Sequence, residues 1–264
     1  MILDEILNAK RREIAERRRT IPLADLEARA RSRPAPVDLA AALRENGVRL
    51  IAEIKRASPS KGTLREGLDP VRLALTYATH GAAAISVLTD RYFQGDLEDL
   101  EAVSSAVRSA GYTVPVLRKD FLLDPFQVTE ARAAGADAVL LIVTALTDEA
   151  LGSLISAAES LGMTPLIEVH DEADVARALP LHPRVVGINS RRLRDFTIDR
   201  DRFAQLARRF PEGTILVAES GVTTAADVQR LGRHGADAVL VGEALVTATD
   251  IAARVREMVA GGAR

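Results

Sequence analysis

The sequence predicts a (β/α)8 barrel, the TIM-barrel fold, as one domain over residues 1–264 with extra N-terminal helices in residues 1–47. Three observations lead to this fold class. Short apolar runs alternate with helical segments, eight such runs follow one another, and three of them are entered through the same glycine-alanine turn. A length of 264 residues also allows two small domains, and a doubly wound open sheet is the rival architecture. The closed ring is preferred because the eight strands show no clear reversal.

The N-terminal part of the chain predicts three helices before any strand. Residues 2–18 place apolar side chains on one helical face, and a second short helix is predicted over residues 25–31. Asp38 is a favourable N-cap for a third helix over residues 39–46, which Gly47 would end in a left-handed conformation. These helices form the predicted extension of the barrel.

Beyond the extension, the pattern changes to short apolar runs separated by amphipathic helical segments. Periodic strand–helix units of this kind predict parallel pairing with the helices outside the sheet. Eight successive units favour closure into a ring. The predicted strands are residues 50–55, 84–88, 114–117, 138–143, 165–169, 185–189, 215–218 and 238–241.

Three of the turns that lead into strands have nearly the same sequence. Segments 80–84, 134–138 and 234–238 each place a glycine and small alanines directly before a strand. Glycine ends a helix in the left-handed conformation, and alanine lets the chain turn tightly into the sheet. We therefore expect the same local geometry at all three places.

Composition excludes several classes of protein. The chain is 47% hydrophobic and 27% charged, which is ordinary for a globular protein, and no apolar run approaches the length of a membrane span. Because cysteine is absent and the N-terminus does not resemble a signal peptide, we expect a cytoplasmic protein. We also expect a monomer. A net charge of −2 argues against nucleic-acid binding. The basic runs 10–12 and 17–19 alternate with Glu13 and Glu16 and are interpreted as a solvated helix face.

Lysine is used very selectively in this chain. Of 35 lysines and arginines only four are lysines, yet Lys55 and Lys119 both stand at predicted strand ends. Arginine has too high a pKa to donate a proton, whereas the pKa of a desolvated lysine can be tuned toward neutrality. The pattern predicts that proton transfer, and not charge alone, is needed at these two positions.

The predicted strand ends carry most of the polar chemistry. Active sites of such barrels lie at the C-terminal ends of the strands. Alternation puts Glu53 and Lys55 on one side of the first strand, so both enter the barrel if that side faces the axis. The alternative is an interior salt bridge that only stabilises the barrel, although buried ion pairs are weak evidence for stability. The residues at these ends are Glu53, Lys55, Thr89, Asp90, Lys119, Asp120, Thr144, Glu168, Asn189, Arg191, Glu219, Ser220, Gly242 and Glu243.

The loops after the seventh and eighth strands predict an anion site. Barrels often bind phosphate there through backbone N–H groups. Gly221 and Gly242 let the backbone approach an anion closely, and Ser220 offers a hydroxyl. Glu243 fits beside a phosphate only if its side chain points outward. The long, polar, glycine-containing loop 56–63 after the first strand is typical of a lid, and whether it closes stays open.

Five motifs resemble those of the indole-3-glycerol phosphate synthase family of tryptophan biosynthesis. They occur in the family's order over nearly the whole chain, including the helical extension. The family closes the pyrrole ring of 1-(2-carboxyphenylamino)-1-deoxyribulose 5-phosphate, a phosphosugar–anthranilate compound, and releases carbon dioxide and water without metal or organic cofactor. The motifs are IAEIKRASPSKG at 51–62, VLRKDF at 116–121, IEVH at 167–170, GINSR at 187–191 and AESG at 218–221.

The resemblance implies catalytic roles for the ionisable residues of these motifs. It implies that Lys119 is the general acid of the condensation and that Glu168 is an acid or base in the dehydration. Lys55 would hold the substrate carboxylate, with Glu53 orienting it. Which lysine protonates at which step stays open.

The resemblance also implies how the substrate is held. Asn189 and Arg191 would orient it and tune the charge of the site. Phe121, immediately beyond Lys119, is the best candidate for an apolar wall against the anthranilate ring. The predicted substrate- and phosphate-binding residues are Ser58, Pro59, Phe93, Phe121, Leu140, Leu193, Glu219, Ser220, Gly221, Gly242 and Glu243.

Two other functions stay open. A related phosphate-binding barrel, such as phosphoribosylanthranilate isomerase or the tryptophan synthase α subunit, would need a different acid/base pair and does not account for Lys55 together with Lys119. A non-catalytic barrel that binds a phosphosugar or a partner protein does not account for the complete set of acids and bases. The histidines show no metal-ligand spacing and are interpreted as structural, although His170 follows the fifth strand and could edge the site.

Overall fold

Eight parallel strands close into a barrel in the computed structural model, which describes residues 2–58, 62–192 and 197–263. Each barrel strand pairs with its sequence neighbour, and the eighth pairs back onto the first, with Leu50 opposite Val239. The predicted fold class is confirmed, and the open-sheet alternative is wrong because the ring closes. The strands are β1 Arg49–Ile54, β2 Ala84–Leu88, β3 Val116–Lys119, β4 Ala138–Ile142, β5 Thr164–Val169, β6 Val185–Asn189, β7 Ile215–Glu219 and β8 Ala238–Val241.

Helices precede the ring and alternate with its strands. The predicted N-terminal extension is present, and Asp38 caps the third helix by accepting hydrogen bonds from the N–H groups of Ala40 and Ala41. The helices are α1 Ile2–Thr20, α2 Leu23–Ser32, α3 Leu39–Leu43, α4 Pro70–Thr79, α5 Leu97–Ser109, α6 Pro125–Ala133, α7 Asp148–Ser160, α8 Glu172–Ala178, α9 Arg202–Ala207, α10 Ala225–Arg233, α11 Glu243–Val246 and α12 Ile251–Gly262.

The third helix is shorter than predicted, and a close backbone contact follows it. The helix ends at Leu43, and Gly47 has φ of 91°. A Cβ at Gly47 would collide with the carbonyl oxygen of Gly262, which accepts a hydrogen bond of 2.8 Å from the N–H of Val48. Gly47 therefore lets the extension pass closely over the C-terminal helix before β1 begins.

Side chains along each strand alternate between the barrel interior and the helix layer. In β1, Leu50 and Ile54 pack outward in the main core, whereas Ile51 belongs to the interior cluster. Glu53 and Lys55 share the inward side and face the axis, as the alternation predicts. Below them, an apolar layer fills the barrel, made of Ile51, Leu117, Leu140, Leu166, Val217 and Leu240.

The first helix is attached to the carboxyl ends of the barrel through a buried lysine. Lys10 is 2% exposed, and its Nζ lies 2.8 Å from Oδ2 of Asp90 and 2.8 Å from Oδ1 of Asp120. The interpretation of run 10–12 as a solvated face is therefore wrong for Lys10, although its two arginine neighbours are exposed. The reason is tertiary, because both aspartates follow strands far away in the chain.

A short antiparallel ribbon begins the loop after β1. Residues 57–58 pair with residues 62–63, which the sequence did not predict as strands. The tip of this predicted lid, including Pro59, lies outside the described residues. Among the described residues, no helix is long and apolar enough to span a membrane.

Candidate active site

A cavity of about 400 Å³ lies at the carboxyl ends of the barrel strands, a volume typical of small-molecule sites. Every predicted catalytic or binding residue that the structure describes lines this cavity, whereas the strand-end residues Thr89, Asp90 and Thr144 do not line it. Pro59 and Leu193 lie outside the described residues. The predicted residues that line it are Glu53, Lys55, Ser58, Phe93, Lys119, Phe121, Leu140, Glu168, Asn189, Arg191, Glu219, Ser220, Gly221, Gly242 and Glu243. Their roles in a reaction stay predictions.

Lys119 is surrounded by three carboxylates on the cavity floor. Its Nζ lies 3.8 Å from Oε2 of Glu53, 3.8 Å from Oε2 of Glu219 and 4.0 Å from Oε2 of Glu168. Strand β3 extends two residues beyond its predicted end, so Lys119 is the last strand residue and not a loop residue. Pro115 explains the later start of this strand, since proline cannot donate a ladder hydrogen bond.

Lys119 carries its proton firmly in this environment. Burial alone would lower its pKa, but the charges of Glu53, Glu219 and Glu168 outweigh burial and raise the pKa above the usual lysine value. The expectation that desolvation tunes this lysine toward neutrality is therefore wrong. The geometry instead fits an ammonium that is charged in the resting enzyme and gives up its proton only to a strong base.

Lys55 and Glu53 form an ion pair at the rim of the same cavity. Lys55 Nζ lies 3.1 Å from Oε1 of Glu53, whose other oxygen faces Lys119. Burial alone would raise the pKa of Glu53, but the two lysines hold it below the usual glutamate value. Glu53 is thus an ionised acceptor between two cations, which favours a role in orienting them.

Glu219 lies deeper than the predicted phosphate loops. It is 1% exposed and projects from β7 toward Lys119 and Glu168. Burial and the charge of Glu168 raise its pKa well above the usual glutamate value, so it is the most readily protonated carboxylate of the cluster. Neither of its oxygens, nor Oε2 of Glu168, has a hydrogen-bond partner within the described part of the chain. Buried carboxyl oxygens without partners mark a place where a ligand or water binds.

Glu168 contacts a histidine that lies outside the cavity lining. The importance of this histidine was not recognised from the sequence. His170 Nε2 lies 3.1 Å from Oε1 of Glu168. Burial alone would raise the pKa of Glu168, but the contact with His170 and the charge of Lys119 lower it to about 2. The available signal was the alternation in IEVH, which puts Glu168 and His170 on the same side of the chain.

The turn after β7 contains Ser220 and Gly221, two residues of the predicted anion cradle. Ser220 and Gly221 have φ of 65° and 76°, two successive left-handed residues that turn the chain sharply. Ser220 Oγ donates a hydrogen bond of 2.8 Å to Oδ1 of Asn189, which also accepts one of 3.0 Å from the N–H of Arg191. These bonds fix the Asn189 side chain between the ends of β6 and β7.

Gly242 also has a steric role that the sequence did not predict. A Cβ at this position would collide with the carboxylate of Glu53. The glycine therefore makes room for the β1 carboxylate, in addition to lying beside the predicted anion cradle.

An apolar wall faces the carboxylates across the cavity. Phe121 is 7% exposed and lies directly beyond Lys119 and Asp120, next to Phe93 and Leu140. Ile198 also lines the cavity, although no sequence signal pointed to it, and its Cγ2 lies 2.9 Å from the position that a Cβ of Gly221 would take. Among the described residues, no group of histidines and acids could hold a metal ion.

Comparison with known proteins shows the family. The sequence model of the family described as indole-3-glycerol phosphate synthase matches residues 3–258. A protein of that name from Roseiflexus sp. (strain RS-1) is 51% identical over an alignment of 265 positions, which covers 98% of this chain and 98% of the relative. Another of that name from Mycobacteroides abscessus is 50% identical over 262 residues, 99% of this chain and 94% of the relative.

Among solved structures, the crystal structure of a 3-hexulose-6-phosphate synthase resembles this chain. The TM-score is 0.65 at 18% identity, over 82% of this chain and 100% of the other. At that identity the likeness shows the barrel fold alone.

Proposed function

The chain belongs to the indole-3-glycerol phosphate synthase family, and on that premise we propose that its cavity closes the pyrrole ring of 1-(2-carboxyphenylamino)-1-deoxyribulose 5-phosphate. The product is indole-3-glycerol phosphate, with carbon dioxide and water released. The protein is accordingly a carboxy-lyase of tryptophan biosynthesis. The observation that carries this proposal is the Lys119 ammonium within 4.0 Å of three carboxylates on the floor of a small-molecule cavity.

Lys119 is the proposed general acid of the condensation. A carbon–carbon bond forms between the aromatic carbon that bears the carboxylate and the ketone carbon, while the carbonyl π electrons move to oxygen. The alkoxide that develops is a strong base, so an ammonium with a raised pKa can still protonate it to a hydroxyl. Loss of carbon dioxide then restores the aromatic ring.

Glu168 is the proposed base of the dehydration. The new hydroxyl leaves as water after an acid protonates it, and a base removes a ring proton to complete the pyrrole. Glu168 is suited to accept that proton because its lowered pKa keeps it ionised at neutral pH. Which of Lys119 and Lys55 protonates the leaving hydroxyl depends on the bound pose of the substrate.

The remaining lining residues are proposed to position the substrate. Lys55 pairs with the substrate carboxylate until it is lost, and Glu53 holds that lysine in place. The phosphate lies against the backbone of Ser220 and Gly221, where the sharp turn leaves the main chain open to an anion. Phe121 and the neighbouring apolar side chains pack against the anthranilate ring, and Asn189 and Arg191 orient the ribulose part.

The direct test mixes purified protein with the carboxyphenylamino substrate and follows indole fluorescence. We expect the signal to rise over many turnovers and to be inhibited by the product. A protein that binds the substrate without producing indole would be a non-catalytic phosphosugar-binding barrel, and the proposal would fail.

We further propose that the enzyme works in the cytoplasm as a monomer. Sedimentation of the purified protein would test whether it is a monomer.

A further inference from the structure

A buried imidazole lies behind the proposed base of the dehydration. His170 follows the last residue of β5, is 7% exposed, and places Nε2 at 3.1 Å from Oε1 of Glu168. The ring N–H does not point at that oxygen closely enough for a hydrogen bond, so the contact is an ion pair. Glu168 lines the cavity and His170 does not, so the imidazole acts on the carboxylate and not on the substrate.

The far side of the imidazole is held by Asp174 of α8. Its Oδ2 lies 3.6 Å from Nδ1 of His170 and accepts a hydrogen bond of 2.9 Å from the backbone N–H of the same histidine. Asp174 also accepts a hydrogen bond of 2.6 Å from the hydroxyl of Thr144, which follows β4. Two neighbouring strands and one helix therefore fix the aspartate, and the aspartate fixes the ring.

The charges around this pair make the imidazole a cation. The acids that face His170 are Glu168 and Asp174. Burial alone would lower the pKa of His170, but these two acids raise it to about 9. The ionisable groups that face Glu168 are His170, Lys119, Glu219 and Glu53. Without the imidazolium, burial would favour the protonated form of Glu168, and only the charge of Lys119 and the contact with Glu219 would oppose it.

We propose that His170, held by Asp174, is a positioning residue that keeps Glu168 ionised and aimed into the cavity for the dehydration step. The proposal rests on the proposed role of Glu168 as the base. His170 itself neither gains nor loses a proton during turnover. The proton removed from the forming pyrrole ring of the substrate goes to Glu168.

The test is the pH profile of kcat for H170Q, which keeps a polar side chain and removes the positive charge. Wild-type Glu168 stays ionised across the accessible range, so its kcat shows no acidic limb from this group above about pH 5. We expect H170Q to develop an acidic limb, with kcat at least about tenfold below wild type near pH 6 and KM little changed. At alkaline pH Glu168 is ionised in both proteins, so the two profiles should converge there.

Two further variants sharpen this test. D174N should shift the profile in the same direction by a smaller amount, because it removes the charge that supports the imidazolium. H234Q changes an exposed histidine in the turn that leads into β8, at the opposite end of the barrel, and should leave the profile unchanged. A merely structural role of His170 would lower kcat equally at all pH values, and that result would overturn the proposal.

A measurement on the unmodified enzyme avoids any dependence on variants. The chain has four histidines, so the imidazole of His170 can be assigned and titrated by nitrogen-15 NMR. A pKa near 9 supports the proposal, and a pKa below about 7 overturns it, since the ring would be neutral in the working enzyme. If E168Q were fully active, the proposed role of Glu168 would fail; if E168Q is inactive and H170Q matches wild type at every pH, only the inference about His170 fails.

Discussion

Gly187 has no side chain because the carboxylate of Glu219 occupies the space that one would need. The glycine lies on β6, next to β7, and a Cβ there would collide with Oε1 of Glu219. At the scale of single residues, the site depends on glycines that leave room for a neighbouring carboxylate as much as on the charged groups themselves. Gly242 does the same for Glu53.

The variant Gly187→Ala tests this steric role. We expect Glu219 to be displaced toward Lys119, with a loss of unfolding free energy of about 1–3 kcal/mol and a lower kcat. Urea denaturation and steady-state kinetics measure the two effects. Gly152→Ala is the matched control, since nothing lies within 4 Å of its Cβ in α7, and it should stabilise the protein by about 0.5–1 kcal/mol. If both alanines were equally tolerated, the space at Gly187 would have no function.

The variant Glu168→Gln tests the proposed base. Glutamine keeps the shape of the side chain but cannot accept the ring proton, so kcat should fall by about two to four orders of magnitude while substrate binding stays similar. Stopped-flow fluorescence separates binding from turnover. An unchanged kcat would remove Glu168 from the mechanism.

At this scale the sequence predicted the charged residues of the site well and their states poorly. Glu53, Lys55 and Lys119 were predictable because each ends or interrupts an apolar run in an alternating pattern. The charge state of Lys119 was not, because it depends on carboxylates from three other strands. His170 was underestimated for a similar reason, since its significance comes from Asp174 on the next helix.

At the scale of elements, α1 is attached to the active-site face by one buried cation. Lys10 contacts the aspartates that follow β2 and β3, and Asp120 is the immediate neighbour of Lys119. Arg118 lies on the outer side of β3 and donates to Asp120 and Glu130, which extends this ion network to α6. The first helix thus supports the strand end that presents the proposed acid.

The variant Lys10→Met tests this attachment. Methionine removes the positive charge that neutralises the buried carboxylates of Asp90 and Asp120. We therefore expect a loss of about 3 kcal/mol of unfolding free energy. We also expect a lower kcat, because the end of β3 loses its support. Arg12→Met is the matched control on the same helix; Arg12 is exposed, and its effect should stay within about 0.5 kcal/mol. Equal effects of the two variants on the urea midpoint would contradict the role of Lys10.

The elements themselves were largely predictable, and their ends less so. The repeated glycine-alanine turns and the Asp38 cap located helices and strands because they act locally. The buried face of α1 was misjudged at Lys10, since a helical pattern of charges does not show which charge meets a distant carboxylate. The third helix ended early at Leu43, and no local breaker marks that position.

At the scale of the whole molecule, ring closure brings the chemistry together. Glu53, Lys119, Glu168 and Glu219 belong to β1, β3, β5 and β7, and each points inward at the same level of the barrel. The strand count predicted this convergence, because all parallel strands of a ring end at one face. The distances between the groups could not be predicted, since the twist and stagger of the barrel set them.

The most direct test of the account compares wild type with Lys119→Arg in a single turnover, with enzyme in excess over the carboxyphenylamino substrate. Arginine keeps the positive charge among the three carboxylates but is a far weaker acid. Indole fluorescence should rise rapidly with wild type and about two to four orders of magnitude more slowly with the variant, while substrate binding stays similar. Indole formation by Lys119→Arg at near wild-type rate would contradict proton donation by Lys119 and the function proposed for its carboxylate surroundings.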